Sequence, residues 1–325
     1  MIRRLFLLAI AFGLATLATT GIAQQPKKLP VIGILVPSIS PDHPLIATLH
    51  KRLRELGYVD GQNIRFEFRG AQGEMDRLPG LAQELVQLKV DAILAVTEPA
   101  IWAAKKATST IPIAMIAYSD DPTASGLVDS LSRPGGNITG IFTRQPELGA
   151  KRLELLKEAV PGLSRAAVFW NAFSSRRERK EVERAAHALG IQVEFQELRA
   201  PEDFMAAFRT AKKRGAGAVI TLYAPTFFIN RARVAEAALA NRLPVTGYAH
   251  EMTRAGGLIT YGTDVADNYN RIAYFIDRLL KGTKPSDLPV EESAKFQLVV
   301  NLKTAKALGI TIPQSILLRA DEVIR

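Results

Sequence analysis

The chain is 325 residues long, carries 42 Lys and Arg against 32 Asp and Glu for a net charge of +10, and contains no cysteine. The missing cysteine excludes disulfide staples, thiolate metal ligands and a thiol nucleophile, and removes the residue on which a bacterial lipoprotein carries its lipid. The basic balance raises nucleic-acid binding, but the charges alternate in sign along helices. In the stretch 174–184, Arg177 and Glu181 lie four apart on one face, which reads as a solvated helix, so no nucleic-acid partner is expected.

In chain order, the first element is Arg3-Arg4 followed by an apolar run from Leu5 to about Leu17 and the small residues Gly21-Ile22-Ala23. That order is a secretory signal peptide over 1–23, with cleavage expected after Ala23 and a short extension over 24–30. The run is shorter than the roughly 20 residues of a spanning helix. The mature chain, at +8 once Arg3 and Arg4 leave, is expected to be a periplasmic monomer without a lipid anchor. Its size exceeds what one core usually fills, so two lobes are expected.

Strand and helix signals then alternate, the pattern of parallel sheets with crossover helices. The first half reads strand Val31 to Val36, a helix with Leu45, Ile46, Leu49, Leu53 and Leu56 closed by Gly57, strand Ile64 to Phe68, a helix with Leu78, Leu81, Leu85 and Leu88, strand Ala92 to Val96, a helix from about Ala100, and strand Ile111 to Ala117. The second half repeats the order: strand Ala166 to Trp170, a helix closed by Gly190, strand Ile191 to Phe195, a helix with Phe204, Phe208 and Ala211, strand Ala218 to Leu222, one helix from Phe227 to about Ala240, and strand Val245 to Tyr248. The motif 91–96 matches 217–222, and Ile111-Pro112-Ile113 matches Leu243-Pro244-Val245.

Three strands outside the repeat, Ile138 to Phe142, Leu258 to Tyr261 and Phe296 to Val300, are read as connections between lobes, and a helix with Val265, Ile272, Ile276 and Leu279 packs onto the first lobe. The expected fold class is α/β, two Rossmann-like lobes with parallel sheets and a three-crossing hinge. The first lobe comprises 31–142 and 257–295, the second 143–256 and 296–325.

Ligands of open parallel sheets bind beyond the carboxyl ends of the strands. The loops there offer Ser38, Thr97, Glu98, Tyr118, Asp120 and Asp121 from the first lobe and Asn171, Phe173, Tyr223, Thr226, Tyr248 and Glu251 from the second. Such a cleft suits a flat or apolar group, with acids available to an ammonium. Each type has another reading: Ser38, Thr97, Asp120, Asp121 and Thr226 precede helices as N-caps do, and Tyr118, Tyr223 and Tyr248 can finish the packing at sheet ends. Glu98 and Glu251, directly after apolar strands, are neither core nor evident caps.

Catalytic devices are missing. His43, His50, His187 and His250 have no metal-ligand spacing, and there is no nucleophile elbow, P-loop or dinucleotide fingerprint. No cofactor and no metal are expected.

Several motifs together carry a family resemblance: Leu56-Gly57-Tyr58 with Gly61-Gln62-Asn63, Ser119-Asp120-Asp121-Pro122 leading to Gly126-Leu127-Val128, the run from Ser130 through Pro134-Gly135-Gly136-Asn137 to Gly140, Gly256-Gly257-Leu258, Tyr261-Gly262 with Asp264, and Asn301-Leu302-Lys303-Thr304-Ala305. Over nearly the whole mature chain the sequence resembles the ABC-transporter substrate-binding proteins of the type that includes tryptophan- and tyrosine-associated importers. The resemblance implies a type I periplasmic-binding-protein fold that closes around a small-molecule solute and delivers it to an ABC permease in the inner membrane, driven by a separate ATPase. Ser119-Asp120-Asp121-Pro122 is one acid longer than the Ser-Asp-Pro of the aromatic amino-acid members. Two readings of other classes stand beside transport: a periplasmic sensor presenting its ligand to a membrane receptor, and a cleft enzyme using Glu251 or Asp120 as acid or base.

Overall fold

The computed structural model describes residues 29–325. The signal segment and its cleavage point after Ala23 lie outside the described residues, as does most of the 24–30 extension.

The two halves fold on one plan. The first gives β1 (Val31–Val36), β2 (Arg65–Gly70), β3 (Ala92–Val96), β4 (Ile113–Tyr118) and β5 (Ile138–Phe142); the second gives β6 (Arg165–Trp170), β7 (Gln192–Glu197), β8 (Ala218–Thr221), β9 (Val245–Gly247) and β10 (Ile259–Thr263). They pair in the parallel orders β5-β4-β3-β1-β2 and β10-β9-β8-β6-β7. Three further strands extend the sheets: β11 (Glu291–Glu292) beside β5, and β12 (Phe296–Asn301) with β13 (Glu322–Ile324) beyond β10. Among the described residues only the β10–β12 pair is antiparallel. Two α/β lobes with nearly all-parallel sheets bear out the expected fold class.

Strand periodicity shows why the sheets are covered on both faces. Along β1, Val31 and Leu35 enter one core cluster while Ile32, Ile34 and Val36 enter another; along β3, Ile93 and Ala95 separate from Ala92, Leu94 and Val96 in the same way. Helices Leu78–Gln87 and Glu98–Ala107 cover the first face, Pro44–Glu55 and Val265–Leu280 the second. The second lobe splits likewise, with Val168 and Ile220 on one side of its sheet and Phe169 and Val219 on the other. Strands buried on both faces read as continuous apolar runs, which is what made them visible in the sequence. Gly57 and Gly190 each follow a helix with positive φ, +95° and +65°, the left-handed conformation that glycine adopts most easily at a helix end.

The expected boundary changes in one place. The strand after Gly256-Gly257 is not a piece of the first lobe: β10 pairs with β9 and β12 and occupies in the second sheet the place β5 holds in the first. The repeat therefore runs to a fifth strand, and the second sheet ends its first run only at Thr263. Smaller differences follow local chemistry. The helix expected from Ala100 begins at Glu98, and the single helix expected from Phe227 is two, Pro225–Ile229 and Arg231–Ala240, broken at Asn230. A 15-residue helix, Gln145–Ala159, was not foreseen at all.

Three crossings join the lobes: 143–144 between β5 and the Gln145–Ala159 helix, Asp264 between β10 and the Val265–Leu280 helix, and 293–295 between β11 and β12. The second and third lie side by side. The Asp264 amide donates to the Lys295 carbonyl at 2.9 Å, and the Asp264 carboxylate accepts from Lys295 Nζ at 3.0 Å and Gln297 Nε2 at 2.9 Å. That carboxylate also caps the helix through the Asp267 amide. Burial works to raise its pKa, but these donors outweigh it and the net shift is downward. Among the described residues no helix is long and apolar enough to cross a membrane.

Candidate functional site

The carboxyl ends of both sheets open on the same space between the lobes. From the first lobe Pro37, Ser38 and Ile39 follow β1, and Val96, Thr97, Ile116 and Ala117 end β3 and β4. From the second come Tyr223 and Pro225 beyond β8, Phe228 one turn later and Tyr248 beyond β9. Leu45 enters from the helix Pro44–Glu55, and the crossings supply Thr143, Gln145, Thr263, Val265, Asn268 and Tyr269. The cavity volume is about 70 Å³, smaller than the usual small-molecule pocket.

Its walls are aromatic and apolar. The Tyr223 and Tyr248 rings lie 4.4 Å apart, and Phe228 stacks on Tyr248 at 6.3 Å. Burial pushes the phenols of Tyr223, Tyr248 and Tyr269 upward, so all three remain protonated donors at any physiological pH. Thr97 and Ala117, at neighbouring strand ends, have φ of +70° and +60°. Left-handed backbone is costly for residues with a Cβ, above all a β-branched one, and such strain gathers at binding sites. The Thr97 hydroxyl is buried without a hydrogen-bond partner.

The lobes touch across this space. Tyr223 donates its hydroxyl hydrogen to the Ala117 carbonyl at 2.9 Å. Farther out, Asp120 of the first lobe accepts from Ser175 Oγ and Arg177 Nη1, each at 3.1 Å. Arg177 also reaches Glu147 at 2.7 Å. It therefore does not partner Glu181, as its spacing suggested; Glu181 pairs with Arg184 instead.

Behind Tyr223 stands a buried polar chain. Glu178 Oε2 accepts from the Tyr223 amide at 2.9 Å, and its other oxygen meets Arg152 Nη1 at 3.3 Å. Arg152 Nη2 donates to Gln145 Oε1 at 2.6 Å, and Gln145 Nε2 donates to Thr143 Oγ1 at 3.3 Å. Both ionic side chains are wholly inaccessible. Burial pushes the Glu178 carboxyl up to about 7, against the opposing pull of Arg152. The chain ties a cleft loop to the first crossing. Glu178 belongs to the stretch read as a solvated face, which the structure contradicts at this residue.

The structure brings four of the twelve sequence candidates to the cavity: Ser38, Thr97, Tyr223 and Tyr248. Glu98, Asp120 and Phe173 border a second, more open hollow between the lobes with Trp102 and Arg177. There burial raises the Glu98 carboxyl, opposed by a 3.0 Å bond from Ser119. Tyr118 points into the first lobe's core and donates to Ser125 at 2.8 Å. Asp121 closes its own turn, accepting from the hydroxyl and amide of Thr123 at 2.6 and 2.8 Å, which lowers its pKa. Asn171 and Thr226 bond each other at 3.0 Å. Glu251 faces a surface hollow beside Arg231 and Arg254. Neither acid considered for catalysis, Asp120 or Glu251, lines the cavity.

The residues that sequence reasoning missed come from the crossings, Thr143, Gln145, Asn268 and Tyr269 above all, and from Phe228. Asn268 and Tyr269 did carry a signal, since they are polar or amphipathic positions on the buried stripe of an otherwise apolar helix face.

Residues 43–324 match the family model described as ABC transporter substrate binding protein. Over 267 residues the chain is 30% identical to a tyrosine-binding protein of Clostridioides difficile, covering 80% of this chain and 75% of that one. Among solved structures it is similar to a conserved domain protein from Vibrio cholerae, with a TM-score of 0.82, 25% identity and coverage of 91% of this chain and 100% of that one. A streptococcal ABC domain in complex with L-Trp gives a TM-score of 0.80 at 27% identity, with coverage of 91% and 100%. The ligand-free, open structure of a substrate-binding protein with adhesive properties from Clostridium difficile gives 0.65 at 26% identity, with coverage of 91% and 99%.

Proposed function

The chain belongs to the ABC transporter substrate-binding protein family, and from that premise we propose that it is a periplasmic solute-binding component that closes its lobes around a small aromatic solute, an aromatic amino acid or a related compound, and hands it to an inner-membrane ABC permease. The observation that carries this reading is the aromatic cage of Tyr223, Tyr248 and Phe228 from the second lobe and Tyr269 from the crossing helix packed on the first. A cage shared in this way forms only when the lobes meet, which couples solute capture to shape. The cross-cleft bonds from Tyr223, Ser175 and Arg177 support a closed arrangement. So does the greater similarity to the L-Trp complex than to the open, ligand-free relative at equal coverage.

The test is thermal unfolding of the purified mature protein with aromatic amino acids, aromatic acids, amines and neutral ring compounds. A ligand that binds only the folded protein raises the melting temperature, by about 2.7 kcal/mol of stability at a hundredfold excess over Kd. An unmoved melting temperature across the whole panel would remove the reading.

A further inference from the structure

Building on that function, we propose that the solute is an uncharged aromatic compound, in contrast to the amino acids named for the relatives. Among the described residues, no Asp, Glu, Lys, Arg or His side chain lines the cavity. An ammonium or carboxylate carried into an apolar enclosure loses hydration worth several kcal/mol unless an opposite charge and full hydrogen bonding replace it.

Three nearby acids are already engaged. Glu178 is held by Arg152 and the Tyr223 amide. Asp264 is held by Lys295, Gln297 and the Asp267 amide, and Glu98 accepts from Ser119 and faces the other hollow. Two cations stand close to the cage: Arg152 bonds Glu178 and Gln145, and Arg231 lies over the Phe228 ring at 5.2 Å and donates to the Phe228 carbonyl.

Most helix N-termini at the cavity are already answered by the protein's own acids. Of the five helices whose first turns or caps reach its wall, Glu98–Ala107 opens with Glu98, Gln145–Ala159 has Glu147 in its first turn and Val265–Leu280 is capped by Asp264, whereas Pro44–Glu55 and the single turn Pro225–Ile229 carry no acid there. The three acids occupy positive ends that would otherwise draw a solute carboxylate. What remains free on the cavity wall is neutral: the unpartnered Thr97 hydroxyl and the amide nitrogen of Asn268, whose oxygen accepts from Ser293 at 2.9 Å, whereas the unpartnered Arg152 Nε and Glu251 Oε2 lie off that wall. The cavity thus suits a ring with a hydroxyl, carbonyl or ring nitrogen, and no formal charge.

Calorimetric titration with two matched sets tests this: para-ethylphenol, tyramine, para-hydroxyphenylpropionate and L-tyrosine; and indole, tryptamine, indolepropionate and L-tryptophan. The neutral member of at least one set is expected to bind about tenfold or more tighter than its charged counterparts, about 1.4 kcal/mol. Equal or tighter binding of the amine, acid or amino acid in both sets overturns the proposal while leaving the aromatic-solute reading in place. No binding by any member removes both. A second arm uses Asn268→Asp, which keeps the oxygen that accepts from Ser293 and adds one negative charge to the cavity wall. Tyramine should gain about tenfold or more on para-ethylphenol in this variant, and an unchanged ratio would overturn the neutral cavity as the source of selectivity.

Discussion

The hydroxyl of Tyr223 in the second lobe donates to the backbone carbonyl of Ala117 in the first, 2.9 Å away. The acceptor belongs to a residue held at a φ of +60°, so a strained strand end receives the bond that spans the cleft. Tyr223→Phe deletes that bond and keeps the ring. A buried neutral hydrogen bond contributes about 1 kcal/mol. Solute affinity should fall roughly fivefold, and small-angle scattering of the ligand-free variant should show a larger radius than wild type. Identical radii and affinities would mean that the bond does not favour closure.

Phe228→Ala should weaken solute binding by about tenfold or more, because it removes the ring that stacks on Tyr248 and the apolar area that a bound ring would cover. Titration calorimetry reads the loss, and the folded state should survive because Phe228 is only partly buried.

Asp121→Ala separates a turn from a ligand contact. The carboxylate closes its own loop on Thr123 and Ala124, so the variant should lose about 1 kcal/mol of stability with solute affinity unchanged within twofold or so. A large loss of affinity without loss of stability would bring Asp121 back into the site.

Glu178 sets a pH dependence whose sign follows from burial. The folded carboxyl keeps its proton up to about 7, whereas an unperturbed one releases it at 4.5. The folded state therefore binds more protons across that window, and the stability this group contributes is full below 4.5 and is lost as pH rises through 7. Urea unfolding at about pH 5 and about pH 8 should show a decline on the order of 2 kcal/mol. Glu178→Gln, which stands in for the protonated carboxyl, should flatten it and leave stability at about pH 5 close to that of the wild type.

The doubly wound halves were legible because their strands are buried on both faces, so β1, β3, β6 and β8 stand out as apolar runs of strand length. The Gln145–Ala159 helix was not, for the reason that makes it useful: its inward face carries Gln145, Gly149 and Arg152, and a polar stripe facing a polar network hides the apolar period. The same masking led Glu178 to be read as a surface residue. At the cleft, reasoning from strand ends located Thr97, Tyr223 and Tyr248 but passed over Asn268 and Tyr269, which enter from a crossing helix. Local composition also cannot distinguish a loop acid that faces solute from one that ties its own turn, as Asp121 does. That distinction rests on backbone geometry.

The stitching of two crossings through Asp264 and Lys295 has a practical outcome. Twisting or sliding the lobes past each other would shear that paired ribbon, whereas bending it leaves the bonds intact, so opening reduces to nearly one angle. A single distance between the rims then reports the whole state of the molecule. The chain has no native cysteine, so two thiols introduced on opposite rims would take a donor and an acceptor dye without competing reaction. The protein could thereby be made into an optical gauge of its own cargo.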